Sequence, residues 1–230
     1  MKRYALIPLV LILFASAFTS EARIIVESFT HSATTNIETQ SIGCQSNNRS
    51  ATANSMYREF DLASFGITGD FEVTNVEIGI EEVANGDDVD HPFSIILHTK
   101  NPDDPLTLAN LTEIGSTTTS VADTGPTILD IPVNGTVPEG LHLVVEAAYP
   151  DGRPDKTKLF LGANADGQTS PTYVMAADCG ATEITDLAFY DIPDFHLVMT
   201  VLHVILEPPI ITSNFPPEGA VGVAYSHSFA

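Results

Sequence analysis

From residue 23 onward, apolar and polar residues alternate with a period of two, and no long stretch carries a helical period. Val76, Ile78 and Ile80 alternate with Glu77, Gly79 and Glu81, so an extended segment here has one apolar and one polar side. Phe93, Ile95 and Leu97 repeat the pattern, as do Leu141, Leu143, Val145 and Ala147. Residues 128–133, 158–162, 172–176 and 197–204 add apolar runs, and residues 24–29, 56–62 and 111–121 weaker ones. That makes about ten strands. Turn-formers separate them: Thr68-Gly69-Asp70, Asn85-Gly86-Asp87, Asn101-Pro102-Asp103, Asn134-Gly135, Pro138-Glu139-Gly140, Asp151-Gly152 and Asp166-Gly167. Short strands joined by short turns, with no helices between, predict an all-β chain, an antiparallel β-sandwich of jelly-roll type over residues 23–204.

The first 22 residues stand apart. Lys2 and Arg3 precede an apolar run over residues 5–14, and Ala15-Ser16-Ala17 or Ser20-Glu21-Ala22 supplies a small-residue cleavage site. The run is too short for a comfortable membrane span of about 20 residues, so a cleaved export signal is expected. No Cys lies near the cleavage site, which argues against a lipid anchor. The chain carries 30 acidic and 9 basic residues, a net charge of −21. Losing Lys2, Arg3 and Glu21 leaves 7 basic and 29 acidic residues, a net of −22. Such a charge excludes unassisted binding to nucleic acid or to an anionic membrane, because phosphate recognition needs concentrated Lys and Arg. At 43% hydrophobic residues the chain is nonetheless no disordered acidic tail.

Two cysteines, Cys44 and Cys179, remain in an exported chain, and an even, low count there predicts one disulfide. A metal site or a catalytic thiol has no supporting CxxC or Cys/His spacing. Beyond Val204, Glu207-Pro208-Pro209 reads as an extended linker over residues 205–209. Residues 210–230 open as another β segment and stop inside a strand, which predicts a truncated chain.

The segment 209–230 has a Pro-Pro-Ile and Ile-Thr-Ser start, the pair Pro216-Pro217, Gly222, and Tyr225-Ser226-His227-Ser228-Phe229. In these it resembles the opening of the cadherin-like Ig domains of bacterial surface proteins, over about a tenth of the chain. That resemblance implies tandem extracellular β-sandwiches, adhesion or spacing, and sometimes calcium between domains. Residues 40–203 are similar to a secreted bacterial β-sandwich domain. The resemblance rests on Cys44, Arg58-Glu59-Phe60-Asp61-Leu62, Phe65-Gly66-Ile67, Val137-Pro138-Glu139-Gly140, Leu143-Val144-Val145-Glu146, Gly162-Ala163-Asn164, Asp178-Cys179-Gly180 and His196-Leu197-Val198-Met199. It implies extracellular placement and pairing of the two cysteines, and no particular activity.

No G-x-S-x-G elbow, Gly-rich phosphate loop or H-E-x-x-H occurs. His196 and His203 lie seven apart on one expected strand, an odd offset that puts them on opposite faces; His91 and His98 share that spacing. Calcium fits better, since hard cations take several oxygens and Asp-rich turns supply them. Asp87, Asp88 and Asp90 form the leading cluster, followed by Asp103-Asp104, Asp151 with Asp155, and Asp178 with Glu183 and Asp186. None has EF-hand spacing, and each also reads as a solvated loop. Tyr57, Tyr149, Tyr173 and Tyr190 are candidate sugar platforms in a chain without Trp, although alternation places Phe60, Phe93 and Tyr149 in the core. Glu77, Glu81 and Glu82 read as solvent-facing acids rather than a glycosidase pair. Asn48, Asn110 and Asn134 stand in glycosylation sequons, and Asn134-Gly135 reads better as a turn.

These features together lead to a non-catalytic, exported or cell-surface module for adhesion, spacing or ligand binding. Its partner is an extracellular protein or glycan, with calcium as the one candidate ion. The alternative is an accessory, carbohydrate-binding module of a secreted hydrolase.

Overall fold

A computed structural model describes residues 23–39, 41–86 and 90–207. The expectations on residues 1–22, on Asp87 and Asp88, and on residues 208–230 lie outside them. Alternation becomes strand throughout: β1 (Arg23–Thr30), β2 (Asn54–Phe60), β3 (Phe71–Ala84), β4 (His91–Lys100), β5 (Thr112–Val121), β6 (Thr127–Val137) and β7 (His142–Tyr149). Then come β8 (Lys158–Leu161), β9 (Ala163–Asn164), β10 (Tyr173–Ala176), β11 (Ala181–Asp186), β12 (His196–Leu197) and β13 (Met199–Glu207). Helical structure among the described residues is limited to 3-10 turns, at Leu62–Phe65, Leu108–Asn110, Ala177–Cys179 and Leu187–Tyr190.

One sheet runs β1-β13-β3-β6, with β8 also on β3; the other runs β11-β10-β2-β7-β4-β5; β12 and β9 form a small pair. Val26–Ile205 make one compact unit. Inward residues of both sheets share a continuous apolar core: Val76, Ile78 and Ile80 from β3 with Ile95 and Leu97 from β4 and Val145 from β7. Registered pairs such as β3 with β6 and β2 with β7 are antiparallel, so the chain is an all-β antiparallel sandwich.

Three sequence expectations change. Asn134-Gly135 is no hairpin turn but lies inside β6. Val73 pairs with Gly135 and Asn75 with Pro132, so Thr74 faces two residues, which is a β-bulge. Crowding explains the glycine: a Cβ on Gly135 would stand 3.0 Å from Leu97 Cδ1. The apolar run over 197–204 is not one strand; β12 ends at Leu197 and β13 starts at Met199. And β11, with few apolar residues, joins the β10 edge unannounced by the sequence.

The break at Val198 has a structural use. Gly79 N–H donates to Val198 O at 2.8 Å, Val198 N–H to Gly162 O at 3.0 Å, and Gly162 N–H to Gly79 O at 2.7 Å. This closed ring of three backbone bonds marks where β3 changes partner, from β13 through Ile78 to β8 through Ile80.

Candidate functional site

On the six-stranded sheet, residues of β2, β7 and β4 that alternate with the core line the opposite, outer face. Register sets them in a grid: Tyr57 beside Glu146 beside Ile96, and Glu59 beside Val144 beside His98. His142 lies beside Lys100 in the next row. Leu143, Val145 and Ala147 join the core, so the intervening His142, Val144 and Glu146 lie on the opposite side of the sheet, where Val144 and Glu146 are themselves buried and His142 is half-buried.

Two carboxylates organise the grid. Glu146 Oε1 accepts from Ser55 Oγ at 2.7 Å and from Tyr57 OH at 3.0 Å, and its Oε2 lies 2.9 Å from His98 Nε2. Burial pushes the Glu146 carboxyl up, but the hydrogen bonds from His98, Ser55 and Tyr57 outweigh it and hold the group below the ordinary range. Burial, reinforced by the Glu146 charge, pushes the Tyr57 phenol up. Glu59 Oε1 lies 3.0 Å from Lys100 Nζ and 2.7 Å from His142 Nδ1, and Asp61 stands 3.8 Å from His142 Nε2. The Lys100 ammonium also donates to the carbonyls of Asn101 at 2.9 Å, Pro102 at 3.3 Å and Asp104 at 2.7 Å. The predicted 101–103 turn thus wraps a cation that the chain itself supplies.

Chemically, the arrangement is a largely buried polar network: Tyr57, His98, Lys100 and Glu146 are buried, and Glu59 and His142 are half-buried at its margin. It does not resemble an acid–base pair: Glu146 is saturated by three donors and kept ionised, whereas a general acid needs a raised pKa. The Ser55 hydroxyl donates to Glu146, but that carboxylate, held below the ordinary range, is a weak base toward it. Sequence reasoning missed this site. Parity alone marks His98, His142 and Glu146 as outward, but only register shows that they converge.

The predicted residues are placed as follows. Cys44 and Cys179 are joined in a disulfide, Cα to Cα 5.8 Å. Asp87 and Asp88 lie outside the described residues, and Asp90 is exposed just before β4. Asp151 is engaged by Arg153, whose Nη2 lies 2.7 Å from Asp151 Oδ2 and 3.0 Å from Asp178 Oδ2, so these two acids hold a guanidinium. Asp104 Oδ2 accepts from Asn101 Nδ2 at 2.9 Å, and Asp186 Oδ1 caps the turn at Ala188 N–H at 2.8 Å. Among the described residues no three His, Cys, Asp or Glu side chains are grouped to hold a metal. Tyr57 is fully buried, not a platform, and Tyr149 joins Phe60 and Phe93 in the core. Glu81 Oε2 accepts from Ser41 N–H at 2.6 Å, which ties a loop to β3. His196 and His203 sit on different strands: His196 Nδ1 accepts from Gly167 N–H at 2.9 Å, and the Phe71 ring lies 5.3 Å from the His203 ring. No described helix is long and apolar enough to cross a membrane.

No family model, no curated protein and no solved structure matches the chain.

Proposed function

We propose that this chain is a non-catalytic, exported module for adhesion or ligand binding, and that its ligand meets the outer face of the six-stranded sheet. The ordered grid around Glu146 and Glu59 carries this reading. Two carboxylates, two imidazoles, a phenol and an ammonium are held in place there, and Glu59 and His142 stay half-buried at the margin, within reach of a ligand. The disulfide fits an oxidising compartment, as export requires. The strand orders also support a jelly-roll reading. With β13 counted as the eighth strand after β1–β7, they become 1-8-3-6 and 2-7-4-5, and β8–β12 form an insertion.

A carbohydrate ligand is the second reading. Side-by-side carboxylates and cationic donors suit a polyhydroxylated ligand, because each hydroxyl both donates and accepts. A glycan array probed with the full chain tests it. Saturable binding that Glu59→Gln and His142→Ala each weaken about tenfold or more would support the reading. Binding unchanged by both substitutions would move the site away from this face. Binding to no glycan would leave an extracellular protein as the partner.

A further inference from the structure

At the β10–β11 edge, Met56, Val174, Ala176 and Ala181 floor an open cavity of about 220 Å³, which Leu187 and Tyr190 help to wall. A dry apolar cavity of about 150 Å³ already accepts a benzene ring, so this one accepts a Phe or Leu side chain. The Cys44–Cys179 disulfide forms part of its wall. The 3-10 turn Leu187–Tyr190 that supplies Leu187 and Tyr190 also carries Phe189, which is 77% exposed and edge-on to the Tyr190 ring at 5.2 Å.

Charge identifies the occupant. Residues 159–230 contain eight acidic residues and no Lys or Arg. Four of those acids, Glu183, Asp186, Asp191 and Asp194, lie in the segment that brings Ala181, Leu187, Tyr190 and Ile192 to the cavity, and a fifth, Asp178, is already paired with Arg153. Glu183, Asp191 and Asp194 are exposed. A second copy of the chain would bring the same acids and be repelled. We propose that this cavity docks a partner peptide segment in which one bulky apolar side chain is flanked by Lys or Arg. The apolar group fills the cavity, the cations meet the exposed Glu183, Asp191 and Asp194 of the flanking segment, and Phe189 offers its ring face to one of them. This site is separate from the outer-face grid, and neither reading depends on the other.

The test is a titration of the full, oxidised chain by amide NMR with the peptide acetyl-Gly-Lys-Lys-Phe-Lys-Lys-Gly-amide. A peptide with Ser in place of Phe is the control. Saturable shifts should centre on Leu187, Tyr190 and Ile192, and the Ser peptide should bind about tenfold or more weakly. Binding should weaken several-fold between about 20 and 200 mM salt. Phe189→Ala, at an exposed position, should weaken it about threefold. The combined E183Q, D191N and D194N variant, which removes no capping side chain, should flatten the salt dependence. No saturable shift at those residues up to several millimolar peptide would overturn the proposal. So would equal binding of the Phe and Ser peptides, because attraction by net charge alone would then explain it.

Discussion

Arg58 shows how far one side chain can depart from its type. It alternates with Met56 and Phe60, so it points inward and is 1% exposed. No carboxylate pairs with it among the described residues. Instead Nη1 donates to Gln168 Oε1 at 2.7 Å and Ser170 O at 2.6 Å, and Nη2 to Leu197 O at 2.7 Å. Burial pushes the guanidinium down to about 9, which leaves it charged at neutral pH. Its role is to tie residues 168–170 and β12 to β2. Arg58→Met should therefore destabilise the chain by about 3–5 kcal/mol, since three acceptors lose a charged donor; urea denaturation measures it. His31 is another buried polar residue with a consequence. Its ring stacks on Phe60 at 4.6 Å, Nε2 lies 2.9 Å from Glu59 O, and Nδ1 lies 2.7 Å from Thr169 Oγ1. Burial lowers its pKa from 6.5 to about 4. The unfolded chain then binds a proton between those values that the folded chain does not. Stability is full above pH 6.5 and falls as pH drops toward 4, at up to about 1.4 kcal/mol per unit. Glu146, whose pKa is lowered, adds a second loss at lower pH, as pH falls from the ordinary Glu range through its folded value. His31→Gln should flatten the upper slope and leave the lower one. A slope unchanged by H31Q would assign the proton elsewhere. Much of this was hidden in the sequence, because a charge in an alternating run reads as solvent-facing. Parity with Met56 and Phe60 was the one signal that placed Arg58 inside.

Elements with clean alternation, such as β3, β4 and β7, were legible because half-burial of a strand writes itself into every second residue. Those held by backbone geometry were not. Asn134-Gly135 carries as strong a short turn signal as any in the chain, yet Gly135 serves close packing. A side chain at Gly115 would strike Asn134 O, so β5 and β6 approach through glycine. The ring of Gly79, Gly162 and Val198 is a similar case, since its bonds use no side chain and leave only two glycines as a trace. A Cβ on Gly162 would stand 2.8 Å from Gly79 C, backbone against backbone. Gly162→Ala must therefore open the ring, loosening β8 and β13 from β3 together. The expected loss is about 2–4 kcal/mol, with the amides of Gly79, Gly162 and Val198 exchanging faster by hydrogen exchange. A loss below about 0.5 kcal/mol with unchanged exchange would show that the ring contributes nothing.

At the scale of the whole molecule, two long-range terms oppose each other. The disulfide joins residues 135 apart in sequence and shrinks the unfolded ensemble. In the chain-entropy model it stabilises by about 4–5 kcal/mol, so reduction should lower Tm by about 10–20 °C. Against it stands a net charge of −21, whose self-repulsion favours expansion. Any salt relieves part of that repulsion by screening, so added calcium raises Tm whether or not it binds. The discriminating comparison is calcium against sodium at matched ionic strength. A site at Asp87, Asp88 and Asp90 with the affinity of extracellular modules would add about 1–2 kcal/mol at about 5 mM calcium, beyond screening. Chelator should reverse that increment, and the combined D87N, D88N and D90N variant should abolish it while keeping the sodium response. Equal shifts with the two salts would reduce the acidic loop to one more contributor to net charge. A calcium-specific shift that survives the triple variant would place the ion at another acidic turn.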